Sequence, residues 1–395
     1  MTGPVTAGTR AAQTSASMVR AVRAWRLPAQ REGLPGGLPQ EIAAAAVAPA
    51  GPAWAEHRER FALELVGEGA SGWHAPLSGP VWQVIADDLA AGLIGHDAGA
   101  PRRLVHRPAT GRHRSGAHAR AAASAVELAC WDLASTASGR AVVDLLGGRV
   151  RSRVPAYASA LGLDPGHPAA PAAASWIAEA GFWGQKWPLT KELIDAGPKA
   201  VARLLGALRE ASGESRFMVD GLGRARLDEA MRLLPVLAEL QVAFAEELVA
   251  PGSWGWHRLR AAHWPVPMAA GEHAVDEAEQ VRLLAREAVD VWQTDPGWSG
   301  GLARSLHTTD LARSLGIPTL PHGAHLPAAL ALAAVCCRDM VPAVEYHLTV
   351  EPLRQQIYTT PLAVTAGHLP VRTTLGLAGP LARVDAGPVW EVTGA

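Results

Sequence analysis

Phe217-Met218-Val219-Asp220, Val242-Ala243-Phe244-Ala245-Glu246 and Met268-Ala269-Ala270-Gly271-Glu272 each close a short apolar run with an acid. The acids are evenly spaced, since 246 − 220 = 26 and 272 − 246 = 26. A run of about four apolar residues reads as a buried parallel strand. Stretches of helical period lie between the runs. One strand, one helix and two loops account for an interval of this length. Successive parallel strands end at the same edge of a sheet, so the pattern predicts three carboxylates converging there. Hard oxygen ligands meeting at one point are what Mg²⁺ takes. One acid in such a place is commonly a helix cap or a solvated loop residue. Three in register on consecutive strand–helix units favour a metal site.

The alternation extends in both directions. Strand candidates are Val154–Ala160, Phe182–Trp187, Phe217–Asp220, Val242–Glu246, Val266–Ala270, Val289–Gln293, Ile317–Leu320 and Ala343–Tyr346. Helix candidates fall between them at Ala172–Ala180, Glu192–Ala211, Leu227–Leu240, Trp254–His263, Asp276–Arg286, Leu302–Leu315 and Pro327–Val335. Eight strands with seven intervening helices predict an α/β fold, a (β/α) barrel with its working residues at the C-terminal strand ends. An open doubly wound sheet is the alternative. It would lack its glycine fingerprint, because no Gly-x-Gly-x-x-Gly follows an early strand.

Residues 18–150 precede the barrel and read as an α+β cap, with a helix from about Ala117 to Ala137. Its stretch Ser124-Ala125-Val126-Glu127-Leu128-Ala129-Cys130-Trp131-Asp132-Leu133 carries an apolar stripe of core character. The barrel is expected over 151–346, and 347–395 is expected to fold back and complete the cap without a helix. Residues 1–17 hold no acid and no apolar centre, and read as a disordered leader ahead of Met18. Leu27–Gly51 is rich in Pro and Gly, and reads as a mobile loop of the kind that covers a site.

The chain has 395 residues, nearly half of them hydrophobic at 49%, enough for a large core. A net charge of −1 gives no sign of a nucleic acid or membrane partner. No apolar run reaches membrane-spanning length. Cys130, Cys336 and Cys337 form neither a disulfide framework nor a Cys-x-x-Cys metal pattern, so a cytoplasmic setting is expected. Lysines number 3 against 33 arginines (36 − 3). A lysine at a strand end in such a chain hints that the amine itself is wanted; an ordinary surface charge is the alternative for Lys186.

Lys186 ends the second barrel strand, Asp295 follows the sixth, His322 follows the seventh and Glu345 lies in the eighth. All would face the mouth shared with the three carboxylates. Asp295 on the neighbouring strand can bond one nitrogen of His322, which raises the imidazole pKa and leaves the other nitrogen as a base. His273, His325 and His347 have no such partner in sequence and read as structural or supporting residues. A divalent ion beside a lysine suits the removal of a proton next to a carboxylate, where charge develops and must be neutralised. Such use of a Lys or His base with Mg²⁺ is the known device of the enolase superfamily.

The chain resembles the mandelate racemase/muconate lactonizing enzyme branch of that superfamily from about Met18 onward. The resemblance rests on Ala129-Cys130-Trp131-Asp132-Leu133, Leu146-Gly147-Gly148, Met218-Val219-Asp220, Glu246-Glu247, Gly271-Glu272-His273, Asp295 before Gly300-Gly301, and Pro321-His322-Gly323. It implies a (β/α)7β barrel capped from both termini. It implies Mg²⁺ held by Asp220, Glu246 and Glu272, with His322 and Asp295 as the acid/base dyad. Glu345 would match the acid that bonds the substrate carboxylate. An even-numbered homo-oligomer is also implied.

Departures from the family pattern narrow the chemistry. Racemases of the branch carry Lys-x-Lys at the second strand, and here it reads Lys186-Trp187-Pro188. Proline moves no proton, so a second base is lost, while one histidine suffices for β-elimination. Asp220-Gly221-Leu222 lacks an auxiliary acid, and Glu246-Glu247-Leu248-Val249 lacks the usual proline. Lys-Trp at strand two with Trp298 is similar to rhamnonate dehydratase-type members, although both tryptophans also suit core or oligomer contacts. The expectation is an Mg²⁺-dependent dehydratase (a hydro-lyase) of a small sugar acid, with Trp187, Leu222 and Trp298 touching substrate. A racemase or epimerase, or a non-catalytic relative, is the alternative.

Overall fold

The structure, a computed structural model, describes residues 16–28, 34, 36–47, 60–101, 116–263, 265–274, 276–286, 289–382 and 384–394. Its strands, in chain order, are β1 Ala21–Leu27, β2 Arg60–Val66, β3 Ser71–Ser78, β4 Arg153–Ser159, β5 Gly184–Pro188, β6 Arg216–Asp220, β7 Ala245–Glu246, β8 Met268–Ala270, β9 Val291–Trp292, β10 Val344–His347, β11 His368–Pro370 and β12 Trp390–Thr393.

Strands β4 to β9 pair in parallel in sequence order, and β10 returns to pair with β4. Between β9 and β10 the predicted strand Ile317–Leu320 shrinks to one parallel bridge, Trp292 to Thr319. Pro318 and Pro321 carry no backbone N–H, so neither can extend the ladder as a donor. Their carbonyls still accept from Trp292 N at 2.9 Å and Glu345 N at 3.3 Å, which keeps the ring continuous. Pro267 likewise delays β8 to Met268, two residues later than Val266. The weakly patterned eighth strand is present as Val344–His347.

Strand alternation divides the barrel residues between two cores. Tyr157, Met218, Phe244, Ala269, Val291, Leu320 and Ala343 fill the interior. Their neighbours Ala156, Trp187, Val219, Ala245, Ala270, Trp292 and Val344 face the surrounding helices. The helix expected over Glu192–Ala211 is two, Lys191–Ala196 and Pro198–Ala211. Gly197 separates them at φ 82, and Pro198 opens the second at the position where its missing N–H costs nothing.

The cap sheet has the order β12-β1-β2-β3, so both ends of the chain meet in it. Helix Ala117–Ser138 packs on β3, where a Cβ on Gly72 would collide with Ala129 O and Leu133 N. The stripe on this helix is core, and it also carries polar ties to the barrel. Glu127 accepts from Leu302 N at 2.8 Å and Ala303 N at 3.0 Å, and so caps helix Gly301–Ser314. Ser124 Oγ accepts from Gly300 N at 2.9 Å. Asp132 accepts from Trp73 N at 2.9 Å and Leu377 N at 2.5 Å, tying cap and tail together.

Several expectations change. Ser17, read as leader, is buried with its hydroxyl 2.6 Å from Asp97 Oδ1; residues 1–15 lie outside the described residues. Within the loop expected at Leu27–Gly51, Gln40–Ala45 is a helix with Ile42 and Ala45 buried. It docks beside the first barrel strand, Asp164 N donating to Ala45 O at 3.0 Å. Positions 29–33, 35 and 48–59 lie outside the described residues. The tail contains helix Glu351–Gln355, too short to register as a period. Its β11 pairs antiparallel with β4, so the tail touches the barrel as well as the cap.

Candidate active site

Lys186 lies on the inner face of β5 and is fully buried. Its ammonium is 2.6 Å from Glu246 Oε2, 2.9 Å from Glu345 Oε1 and 3.1 Å from Asp220 Oδ2. It is thus not a surface charge. Burial works against the ammonium, but Glu246, Glu345 and Asp220 outweigh it and hold Lys186 well above its ordinary pKa. Burial and the charge of Asp220 push Glu246 well up, and burial raises Asp220 against the pull of Lys186. Asp220 and Glu246 are register partners on β6 and β7, which explains their mutual repulsion.

Across the mouth, His322 Nδ1 is 2.6 Å from Asp295 Oδ2 and Nε2 is 2.9 Å from Glu272 Oε2. Asp295 is itself fixed by the backbone: its Oδ1 accepts from Gly297 N at 2.5 Å and Trp298 N at 3.1 Å, and its Oδ2 from Ala324 N at 3.0 Å. Burial disfavours the imidazolium, but Glu272, Glu345 and Asp295 reverse this and raise His322 well above its ordinary value. Glu272 in turn falls to about 2, because His322 outweighs the effect of burial. Burial would also raise Glu345, yet Lys186 above all, with His322, holds it well below the usual carboxylate range.

The structure thus brings Lys186, Asp220, Glu246, Glu272, Asp295, His322 and Glu345 to one barrel mouth. Lys186 and His322 share out the acids, so Asp220 and Glu246 meet the ammonium and Glu272 meets the imidazole. The three acids agree in strand position, while the groupings whose ligand atoms converge are His322/Glu345/His347 and Glu247/Glu272/His273 among the described residues. Six buried carboxylates stand here against Lys186, His322 and the more exposed His273. That excess of negative oxygen donors fits a hard divalent cation.

Of the aromatic candidates, Trp298 belongs to the site. Its ring stacks on His322 with centroids 4.9 Å apart, and its Nε1 donates to Glu272 O at 2.9 Å. Trp187 does not. It points outward from β5, opposite to Lys186, and its Nε1 donates to Gln185 Oε1 at 2.8 Å inside the helix-facing core. A one-residue step along a strand reverses the face, which corrects its assignment as a substrate contact. Leu222 follows Asp220 in a left-handed turn at φ 53, its N–H donating to Asp220 Oδ1 at 2.9 Å. Its backbone therefore orients the first acid.

One contributor was not singled out from the sequence. Gln293 Nε2 donates to Glu246 Oε2 at 2.6 Å. The alternation from Asp295 back to Gln293 was the available signal. Glu247 receives His273 Nδ1 at 2.8 Å, which raises His273 to about 9. His325 is structural as expected: its Nδ1 accepts from Ala328 N at 3.3 Å and caps helix Leu326–Val335. His347 stands inside the site beside Glu345.

With this geometry in view, residues 169–381 match the family model for the enolase C-terminal domain-like fold. Residues 61–147 match the mandelate racemase / muconate lactonizing enzyme N-terminal domain. The chain belongs to the mandelate racemase/muconate lactonizing enzyme branch of the enolase superfamily. Within it, D-galactarolactone cycloisomerase of Agrobacterium fabrum is 30% identical over 268 residues, 65% of this chain and 70% of that one. Among solved structures, the 3,6-anhydro-D-galactonate cycloisomerase from Zobellia galactanivorans superposes with a TM-score of 0.75 at 22% identity, covering 93% of this chain and 97% of that one. A racemase from Streptomyces coelicolor A3(2) with bound magnesium gives 0.72 at 21% identity, covering 92% and 97%. At these identities the two structures speak for the fold, a capping domain over a barrel. No helix among the described residues is long and apolar enough to cross a membrane.

Proposed function

We propose that the protein is an Mg²⁺-dependent acid-sugar dehydratase that removes the proton α to a carboxylate and eliminates the β-hydroxyl to leave a 2-keto-3-deoxy acid. The observation that carries this reading is the single-base mouth. His322 is locked by Asp295 at 2.6 Å, and Pro188 stands where a second lysine would serve a racemase.

Asp220, Glu246 and Glu272 would hold the metal, which supplies positive charge to the substrate carboxylate as the α-proton leaves. Lys186 sits opposite His322 and offers a fixed ammonium to the same carboxylate. Asp295 keeps the proton on His322 Nδ1, and with Glu272 drawn to the metal, Nε2 would lose its present partner and be the atom that accepts the α-proton. His322 then returns that proton to the departing hydroxyl, which leaves as water. Trp298 fixes the plane of the imidazole by stacking. Glu345, 2.9 Å from Lys186, holds that ammonium in place.

The kinship with D-galactarolactone cycloisomerase favours a second reading. Proton removal followed by loss of a ring oxygen, rather than a hydroxyl, gives an isomer of the substrate instead of a dehydrated acid. The residues needed are the same.

Incubating the protein and Mg²⁺ with a panel of aldonates, aldarates and their lactones tests both readings. Semicarbazide trapping detects 2-keto acids, and mass spectrometry separates loss of water from isomerisation. A keto acid lighter by one water, abolished by EDTA and by His322→Asn, supports the dehydratase. A product of unchanged mass from a lactone or anhydro acid supports the cycloisomerase. Deuterium entering the α-position with neither product would overturn both in favour of epimerisation.

A further inference from the structure

We propose that His347 is a specificity-determining residue that reads a hydroxyl on the substrate chain beyond the α-carbon. This rests on the acid-sugar reading above and names what the site selects for.

Alternation along β10 puts Glu345 and His347 on the inner face, with Val344 and Tyr346 outside against the helices. The register pairs Glu345 with Tyr157 and His347 with Ser159, so His347 lies one layer nearer the mouth. Its ring meets that of His322 edge-on, with centroids 5.5 Å apart and planes at 81°. Gly323 leaves room for it: a Cβ there would lie 3.2 Å from His347 Cδ2 and 3.1 Å from Glu345 O.

The ring is only 6% exposed, yet Nε2 has no hydrogen-bond partner. The nearest acid atom is Glu345 Oε1 at 3.5 Å, itself 2.9 Å from Lys186. Protein interiors seldom leave such a nitrogen unmet. One left beside a reaction centre fits a ligand atom. Burial pushes His347 down to about 3, so the imidazole is neutral at ordinary pH. A neutral ring has one donor and one acceptor nitrogen. A hydroxyl both donates and accepts, so it satisfies Nε2 in either tautomer, whereas an alkyl or aryl group leaves it unmet. His322, Glu345 and His347 could also be read as a metal site. With two imidazoles and a single carboxylate, that set suits a softer transition metal and not the hard cation proposed above.

The test compares His347→Leu and His347→Gln with wild type on an acid sugar that turns over and on its analogue deoxygenated at the carbon beyond the leaving group. A site built to bond a hydroxyl rejects the analogue that lacks it. The expectation is a fall of about 10- to 100-fold in kcat/KM of His347→Leu for the hydroxylated acid, mainly through KM. The preference over the deoxy analogue should collapse, and His347→Gln, which keeps a donor and an acceptor, should restore most of it. Equal losses on both substrates, or an unmoved preference, would overturn the proposal. If His347→Leu does not fold, His347→Met, which likewise lacks a donor, takes its place and decides in the same way. A wild type inactive on every acid sugar removes the parent reading and this proposal with it, whereas an active wild type with an unmoved preference removes this one alone.

Discussion

Replacing Asp295 by Asn isolates the dyad, because the substitution keeps shape and removes charge. Asp295 Oδ1 accepts from two backbone N–H groups, Gly297 and Trp298, and Oδ2 accepts from Ala324 N and faces His322 Nδ1. An asparagine must turn its NH₂ to one side. Facing Gly297 and Trp298 it would oppose two donors and lose two bonds. Facing Ala324 and His322 it opposes one backbone donor. The second arrangement is favoured, and it presents an N–H to His322 Nδ1. The imidazole then accepts at Nδ1 and carries its proton on Nε2, the atom that has to act as base. General-base catalysis contributes about 10²- to 10⁴-fold, which corresponds to about 3–5 kcal/mol of barrier. Asp295→Asn should therefore lower kcat by about that factor with KM changed little, while circular dichroism and the melting temperature stay near wild type. Steady-state kinetics on an active acid sugar provides the assay. A variant within a few-fold of wild-type kcat would refute the role given to Asp295.

Other perturbations test neighbouring parts of the account. Glu351 is buried and pushed up to about 7 by burial, against an ordinary 4.5. Its ionisation in the folded state is resisted, so the cost is absent below pH 4.5, builds through that window and is constant above about pH 7. Glu351→Gln should gain up to about 3 kcal/mol above pH 7 and nothing below 4.5, measured by urea melts across pH. Glu272 has the opposite sign. Held at about 2 by His322, it stabilises the metal-free protein above pH 4.5 and loses that contribution as pH falls toward 2. Glu272→Gln should flatten that acid limb, and an unchanged limb in thermal melts would contradict the pairing. Trp298→Ala removes both the ring on His322 and the bond to Glu272 O, so kcat/KM should fall about 10-fold, in keeping with about 1 kcal/mol for a buried aromatic contact; an unchanged value would dismiss the stacking role.

The barrel was legible because its signals are local. A run of apolar residues ending in an acid names both a strand and the residue at its mouth, and this held even for the short pieces β7 and β8. Asp295 and His322 were legible as a pair because the chain order of parallel strands gives their adjacency. What escaped is set by tertiary context. The face of Trp187 depends on a one-residue register that composition does not carry, and Lys186 fixes it only once the strand is seen. Glu127 looked like part of an apolar stripe, yet it caps a barrel helix 175 residues away in sequence. Pro318 and Pro321 left the seventh strand as a bridge although its apolar pattern suggested more. His347 had no sequence neighbour to mark it, and its role depends on β10 lying against β4 and on the space left by Gly323.

The central claim is that His322 takes the α-proton of a carboxylate substrate. Incubation in D₂O with Mg²⁺ and an acid sugar that turns over, followed by NMR at the α-carbon, tests it most directly, with wild type and His322→Asn side by side. The account predicts α-proton loss in wild type, and neither proton loss nor deuterium entry in His322→Asn. Proton loss continuing in the variant at the wild-type rate would place the base elsewhere and contradict it.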